Sequence, residues 1–237
     1  MEAHCQHHRD QQPRRWPLYG LRVSTPRLEL RLPDLELLDE LAKVAADGVH
    51  DEASMPFTIP WTVGTPEERG RTTFQHVLST IANWTPQSWT LSLAVLRDGR
   101  VVGRQDMTAA DFAVTREVDT GSWLGLAHQG RGIGTEMRAA AVHLAFAGLG
   151  ARAVTSAAMT DNPRSLAVSR KLGYRPDGLT VASVQGTART LQRLRLDRAT
   201  WEAGQREEPG QSGAAAASGG VPVRIAGLEA CGPLFGL

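Results

Sequence analysis

Hydrophobic positions along this chain change period several times, and each change marks an element. Residues 21–32 alternate apolar and polar, the period of a strand with one buried face. Leu35, Leu37, Leu38, Leu41 and Val44 then recur at helical spacing behind Asp34, a candidate N-cap. Residues 51–66 are irregular, because Met55-Pro56-Phe57 and Ile59-Pro60-Trp61 interrupt any helix. Thr65-Pro66 opens a second helix running to about Trp84. Trp89 to Leu96 and Arg100 to Thr108 flank Asp98-Gly99, a hairpin signal. Val114 to Leu126 reads as a longer strand. Ile133, Met137, Ala140, Ala141, Leu144 and Gly148 lie on one face of a helix over Thr135–Leu149. A short strand, Ala153–Ala158, precedes a helix opened by Asn162. Two strands follow, Leu179–Val184 and Arg189–Leu196, joined at Gln185-Gly186. This order predicts an α/β (α+β) fold, a mixed sheet with helices on it.

Both ends lack such patterning. The N-terminus is polar through Arg15, and residues 203–237 are rich in Gly, Ala and Ser. Such stretches bury too little apolar surface to offset their ordering entropy. The expected organisation is a disordered tail over 1–20, one domain over 21–202 and a low-complexity tail over 203–237. Ala226–Leu237 is more apolar, but a frayed end is the expectation for it as well.

Composition narrows the function classes. The chain has 237 residues, 41% hydrophobic and 22% charged, as a soluble globular domain does. A net charge of +1 provides no basic field for nucleic acid, and 5% aromatics argue against base stacking. No apolar run is long enough to span a bilayer, and the polar N-terminus has no signal-peptide core. The two cysteines, Cys5 and Cys231, fall in the expected tails, which fits a reducing cytoplasm. His4, Cys5, His7 and His8 are conceivable metal ligands. No second ligand pair follows at a finger-like spacing, so no metal is expected.

The segment with most chemistry is Gln129-Gly130-Arg131-Gly132-Ile133-Gly134, continued by Thr135. It lies between the strand ending at Leu124-Gly125-Leu126 and the helix after it. Strand, glycine loop and helix start together present free backbone N–H groups to a phosphate. The loop has no Lys followed by Ser or Thr, so it is not a P-loop, and it reads G-x-G-x-G rather than G-x-G-x-x-G. Thirty residues on, Asn162-Pro163-Arg164-Ser165 begins a helix that Gly173-Tyr174 ends, with Asn162 a fitting N-cap and Gly173 a fitting C′ residue.

The loop resembles the Q/R-x-x-G-x-G/A pyrophosphate loop of the GNAT acetyltransferases, with Gln129, Gly132 and Gly134 at the fixed positions. The Asn162–Tyr174 segment is similar to that superfamily's helix beside the pantetheine arm. Thr25-Pro26-Arg27-Leu28-Glu29-Leu30-Arg31 resembles the opening of its RimJ/RimL-like branch, and Leu194–Trp201 resembles that branch's closing strand and short helix. The resemblance covers residues 21–202. It implies a mostly antiparallel twisted sheet, acetyl-CoA as co-substrate, and transfer of the acetyl group to a primary amine. That amine belongs to a protein N-terminus or a small molecule. A non-catalytic acyl-CoA-binding module is the alternative, and the oligomeric state expected is monomer or homodimer.

The resemblance also assigns residues. Cofactor binding falls to Leu124, Gly125, Leu126, Gln129, Gly130, Arg131, Gly132, Ile133, Gly134, Thr135, Asn162 and Ser165. The backbone of Leu124–Leu126 would polarise the thioester carbonyl, with Gly125 permitting a strand splay. Glu117 is the candidate base, with Asp119 on the same strand face, Asp106 and His128 as alternatives. Many relatives carry a Tyr acid at or next to Ser169. None stands here, and in the RimJ/RimL-like branch a Ser at the position of Ser165 takes its place. Met55, Phe57 and Trp61, near Asp51 and Glu52, fall where the family walls the acceptor site.

Overall fold

The structure is a computed structural model and describes residues 15–51, 54–206 and 221–237. Among the described residues its centre is one sheet of nine strands in the order β7-β8-β6-β5-β4-β3-β2-β1-β9. In chain order these are β1 (Arg22–Ser24), β2 (Leu28–Arg31), β3 (Ser88–Arg97), β4 (Arg100–Ala110), β5 (Glu117–Leu124), β6 (Ala153–Met159), β7 (Arg175–Val184), β8 (Thr187–Asp197) and β9 (Arg224–Ala226). Neighbours are antiparallel except β5 and β6. The helices are α1 (Leu35–Ala46), α2 (Pro66–Ala82), a single turn α3 (Phe112–Thr115), α4 (Ile133–His143), α5 (Pro163–Lys171) and α6 (Arg198–Arg206). The mixed, mostly antiparallel sheet flanked by helices is the fold class the sequence predicts.

Local chemistry sets most boundaries. Asp34 caps α1 by accepting from Leu37 N–H at 2.9 Å. Thr65 and Glu68 form a reciprocal capping box on α2. Asp98-Gly99 and Gln185-Gly186 both turn with two positive φ angles, as two-residue hairpins require. Residues 21–32 form two short antiparallel strands rather than one, because Thr25 closes a turn onto Leu28. Val114 belongs to α3, so β5 begins later than expected, at Glu117.

The sheet has an apolar layer on each face. On one, Leu38, Leu41 and Val77 of α1 and α2 pack on Ala94, Leu96 and Trp123. On the other, Met137, Ala140 and Leu144 cover Leu93, Val95 and Val118. α4 continues past His143 as a π-helical turn, Leu144–Gly148.

The expected ends need correction. Within the expected N-terminal tail, Pro17–Gly20 forms a 3₁₀ turn with Leu18 fully buried. Residues 221–237 are no frayed end. β9 pairs with β1 over three rungs and extends the sheet. A 3₁₀ segment, Glu229–Phe235, then places Cys231 and Phe235 at 0% exposure, with Phe235 against Trp84 and Trp89. Gly227 allows this approach, since a Cβ there would lie 2.2 Å from Gly20 O. Sequence patterning missed the segment because it is short and irregular, and its apolar residues find partners only in the folded sheet. The His4, Cys5, His7 and His8 cluster lies outside the described residues.

Candidate active site

β5 and β6 pair over three rungs only, Glu117↔Ala153, Val118↔Val154 and Asp119↔Thr155. Beyond them β5 stays with β4 to Leu124, while β6 stays with β8 to Met159. The parallel strands therefore part, and a V opens toward the C-terminal end of β5. Gly125 N–H donates to Val102 O at 3.0 Å, which fixes the phase of the β4–β5 ladder. Antiparallel alternation then turns the main chain of Thr120, Ser122 and Leu124 toward β6. Thr120 O accepts from Ser156 Oγ at 3.0 Å at the apex. The N–H groups of Ser122 and Leu124 face the open part of the V.

The glycine loop lies at the mouth of that V. Gly130 and Gly132 have φ of +74° and +76°, a region costly for residues with a Cβ. Gly132 is the N-cap of α4 and supplies no side-chain cap, so the N–H groups of Ile133, Gly134 and Thr135 project from the helix end. The helix dipole adds partial positive charge there. Arg131 and Arg164 stand exposed beside the loop.

The loop is held from three sides. Gln129 Nε2 donates to Val49 O at 2.8 Å and Leu124 O at 2.9 Å, and its Oε1 accepts from Arg164 at 3.3 Å. The buried Glu136, in the first turn of α4, accepts from Thr25 Oγ1 at 2.6 Å and from Arg27 Nε at 2.6 Å, and pairs with Arg27 Nη2 as well. Arg27 also donates to Arg131 O at 3.2 Å. The Thr25-Pro26-Arg27 turn thus clamps the loop and the helix start together. Sequence reading placed Thr25 and Arg27 in a motif but passed over Glu136; an acid in the first turn of an uncapped helix was the available signal.

The structure brings Gln129 to Thr135, Leu124, Asn162 and Ser165 together around the loop, with different roles for several. The Gln129 amide is spent on protein carbonyls, so it positions the loop. Ile133 contributes backbone only, its side chain being core. Gly125 and Leu126 N–H groups are already bonded, to Val102 O and Gly48 O, which leaves Leu124 as the open donor of the three. Gly125 is small because α1 passes over it: a Cβ would lie 2.7 Å from Val44 Cγ1. Asn162 Oδ1 accepts from Ser165 N–H at 3.1 Å and caps α5. Ser165 is half-buried one helical turn before Ser169, on the same stripe.

The carboxylates separate by position. Glu117 is on the first rung of β5, about 23 Å along the strand from Leu124 at roughly 3.3 Å per residue. Its carboxylate accepts from Arg195 at 2.8 Å. Asp119 is on the last rung, at the apex of the V, and accepts from Thr155 Oγ1 at 2.9 Å. Asp119 is open to solvent on one side, yet the packing around its carboxyl pushes its pKa up. Asp106 is bound by Ser92 at 2.7 Å and Arg104 at 2.9 Å. His128 sits in the 3₁₀ turn beyond β5, away from the apex. The structure therefore turns attention from Glu117 to Asp119.

Above the Trp123 face, His50, Phe57, Trp61 and Trp123 form a chain of rings 5.2–5.7 Å apart. A cavity of about 440 Å³ lies between this connection (His50, Met55, Thr62) and the β7–β8 hairpin (Gln185, Arg189). Of the three residues expected to wall an acceptor site, Met55 lines this cavity, while Phe57 and Trp61 belong to the chain of rings. Asp51 is exposed nearby, and Glu52 lies outside the described residues. No helix among the described residues is long and apolar enough to cross a membrane.

A family model described as an acetyltransferase (GNAT) domain matches residues 27–175. The fold is similar to that of Mycobacterium smegmatis RimJ in complex with CoA-disulfide, with a TM-score of 0.63 and 19% identity over 77% of this chain and 90% of that one. It is also similar to a GCN5-related N-acetyltransferase from Brucella melitensis, with a TM-score of 0.61 and 21% identity over 77% and 80% of the two chains. The microcin C7 self-immunity acetyltransferase MccE, in complex with acetyl-CoA and AMP, matches with a TM-score of 0.56 and 18% identity over 73% and 93%.

Proposed function

The chain belongs to the GNAT acetyltransferase family, and from that premise we propose that it transfers an acetyl group from acetyl-CoA to a primary amine. The observation that carries this reading is the uncapped start of α4, set behind Gly130 and Gly132 at the mouth of the β5–β6 splay. The site fits the co-substrate. Exposed N–H groups at Ile133–Thr135, with Arg131 and Arg164 beside them, suit a pyrophosphate. The open V, with donors at Ser122 and Leu124, suits an amide-bearing arm.

Acetyl-CoA brings a carbonyl already activated as a thioester. What remains for the protein is to orient it, polarise it and accept a proton from the amine. Leu124 N–H is the open main-chain donor in the V and serves as polarising group. Asp119, about 16 Å along the strand from Leu124 at roughly 3.3 Å per residue, takes the ammonium proton through a chain of waters running toward the apex. A carboxyl with a raised pKa is a better proton acceptor than one held by an arginine, as Glu117 is. Ser165 lines the arm from α5. The acceptor enters past Met55 and His50, where the 440 Å³ cavity suits a peptide end or a small amine.

Calorimetric titration with acetyl-CoA, followed by CoA release over a panel of peptide N-termini and small amines, tests this reading. Binding in the micromolar range with turnover of at least one amine is expected. Binding without turnover of any amine would favour a non-catalytic acyl-CoA module.

A further inference from the structure

Arg138, in the second turn of α4, points into the apex of the splay and is 5% exposed. Its Nη2 donates to Ser122 Oγ of β5 at 3.0 Å. Its Nη1 donates to Ser156 Oγ of β6 at 3.4 Å and to Ser169 Oγ of α5 at 3.1 Å. Ser156 and Ser122 lie just beyond the last β5–β6 rung, so the guanidinium plugs the V at the point where the strands part. All three acceptors are neutral hydroxyls. Nε–H is buried and has no partner among the described residues. Asp119 and Tyr174 are the titratable groups whose charges reach the guanidinium. Asp119 is bonded to Thr155 instead, and burial pushes the Tyr174 hydroxyl up, so it is neutral.

A buried guanidinium with no carboxylate bonded to it is expensive, and a Leu or Met would pack the same space without that cost. The charge therefore calls for an anion that the resting protein does not hold. Ser169 stands at or next to the place where many relatives carry a tyrosine acid, and here it is bonded to this cation instead. We propose that Arg138 is the group that receives the negative charge on the departing CoA sulfur, replacing a proton donor with a fixed cation. The inference rests on the acetyl-transfer reading above. In the step, the amine lone pair forms the C–N bond at the thioester carbonyl. The C–S bond breaks and its electron pair leaves on sulfur. The ammonium proton passes to Asp119 or water, and the thiolate, held beside Arg138, takes a proton from solvent on release. Arg138 remains protonated throughout. The Ser122–Ser156–Ser169 hydroxyls hold its plane across the V, and Nε–H is the donor left for the anion.

The test compares CoA with desulfo-CoA, which lacks the thiol, by calorimetry on the full chain from pH 6 to 9. A cation beside sulfur lowers the bound thiol's pKa below its value in free CoA. In the wild type the CoA-to-desulfo-CoA affinity ratio should then rise with pH, about tenfold per unit, and level off above the free thiol range. Desulfo-CoA reports separately on the underlying reading: if it does not bind, the acetyl-CoA assignment fails. If it binds and the ratio stays flat with pH, the Arg138 proposal alone falls. In Arg138→Met the ratio should flatten and kcat should drop about a hundredfold, with KM for acetyl-CoA within about threefold. Should the folded variant keep its kcat, the proposal is overturned. So would it be if wild type bound succinyl-CoA tenfold tighter than acetyl-CoA and Arg138→Met lost that preference, because the cation would then read an acyl carboxylate.

Discussion

Two regions of this molecule close a gap in the sheet by opposite means. The C-terminal strap, residues 221–237, closes the β1 edge with main-chain pairing and buried rings. Phe235 meets Trp84 and Trp89, and Trp84 Nε1 donates to Leu234 O at 2.7 Å. The β5–β6 splay instead leaves strand donors open and fills its apex with an arginine, three hydroxyls and a tyrosine. The first arrangement pairs its strand and buries apolar surface, as stability requires. The second keeps donors and charge unspent, as catalysis requires. Substitutions in the strap should therefore act on folding, and those around the splay on chemistry.

The largest effect expected is on the strap. Phe235→Ala should cost about 3–5 kcal/mol, and a chain ending at residue 206 should lose more. For a domain of this size that lowers Tm by about 10 °C, readable by calorimetry. Acetyl-CoA affinity at low temperature should stay within about twofold. Cys231 gives an independent readout: burial pushes its thiol up to about 11, so in a Cys5→Ser background it should react with thiol reagents only when the strap lifts. An unchanged Tm on removing the strap would erase the contrast between the regions.

Next in size is the base. Asp119→Asn should lower kcat about a hundredfold near pH 7, with the loss shrinking at high pH, where the amine is already neutral. Glu117→Gln should stay within about twofold. The reverse ranking would restore Glu117 and place the chemistry at the closed end of the strands. Gly132→Val should weaken acetyl-CoA binding at least tenfold, because a β-branched residue resists φ of +76° and the loop must shift. Unchanged affinity in the folded variant would remove the loop from the binding site.

The smallest effect sharpens the same comparison. Packing around one side of its carboxyl holds the folded Asp119 pKa above its unfolded value, so its contribution favours folding only at acid pH and is lost as pH rises through the raised pKa. Asp119→Asn should consequently raise Tm slightly at neutral pH. The gain should vanish once pH falls below the ordinary aspartate range. A stabilised but slow variant would show that the splay holds a group kept for chemistry at a cost in stability.

Much of this was legible in the amino-acid order. Local chemistry determined the caps at Asp34, Thr65 and Asn162, the hairpin turns at Asp98-Gly99 and Gln185-Gly186, and the glycine loop before α4, because each depends on residues within a few positions of one another. The resemblance to acetyltransferases rested on such local segments too. Tertiary structure alone decided the rest. Glu117 and Asp119 share a strand face and a chemistry, and only the length of the β5–β6 ladder separates the closed end from the apex. Arg138 reads as one more residue of an Ala-rich helix until Ser122, Ser156 and Ser169, from three other elements, surround it. The strap reads as a tail until Trp84, Trp89 and Gly20, more than a hundred residues away, supply its partners. Short-range patterns carry propensity and capping, whereas burial, charge balance and strand register arise from contacts that exist only once the chain has closed on itself.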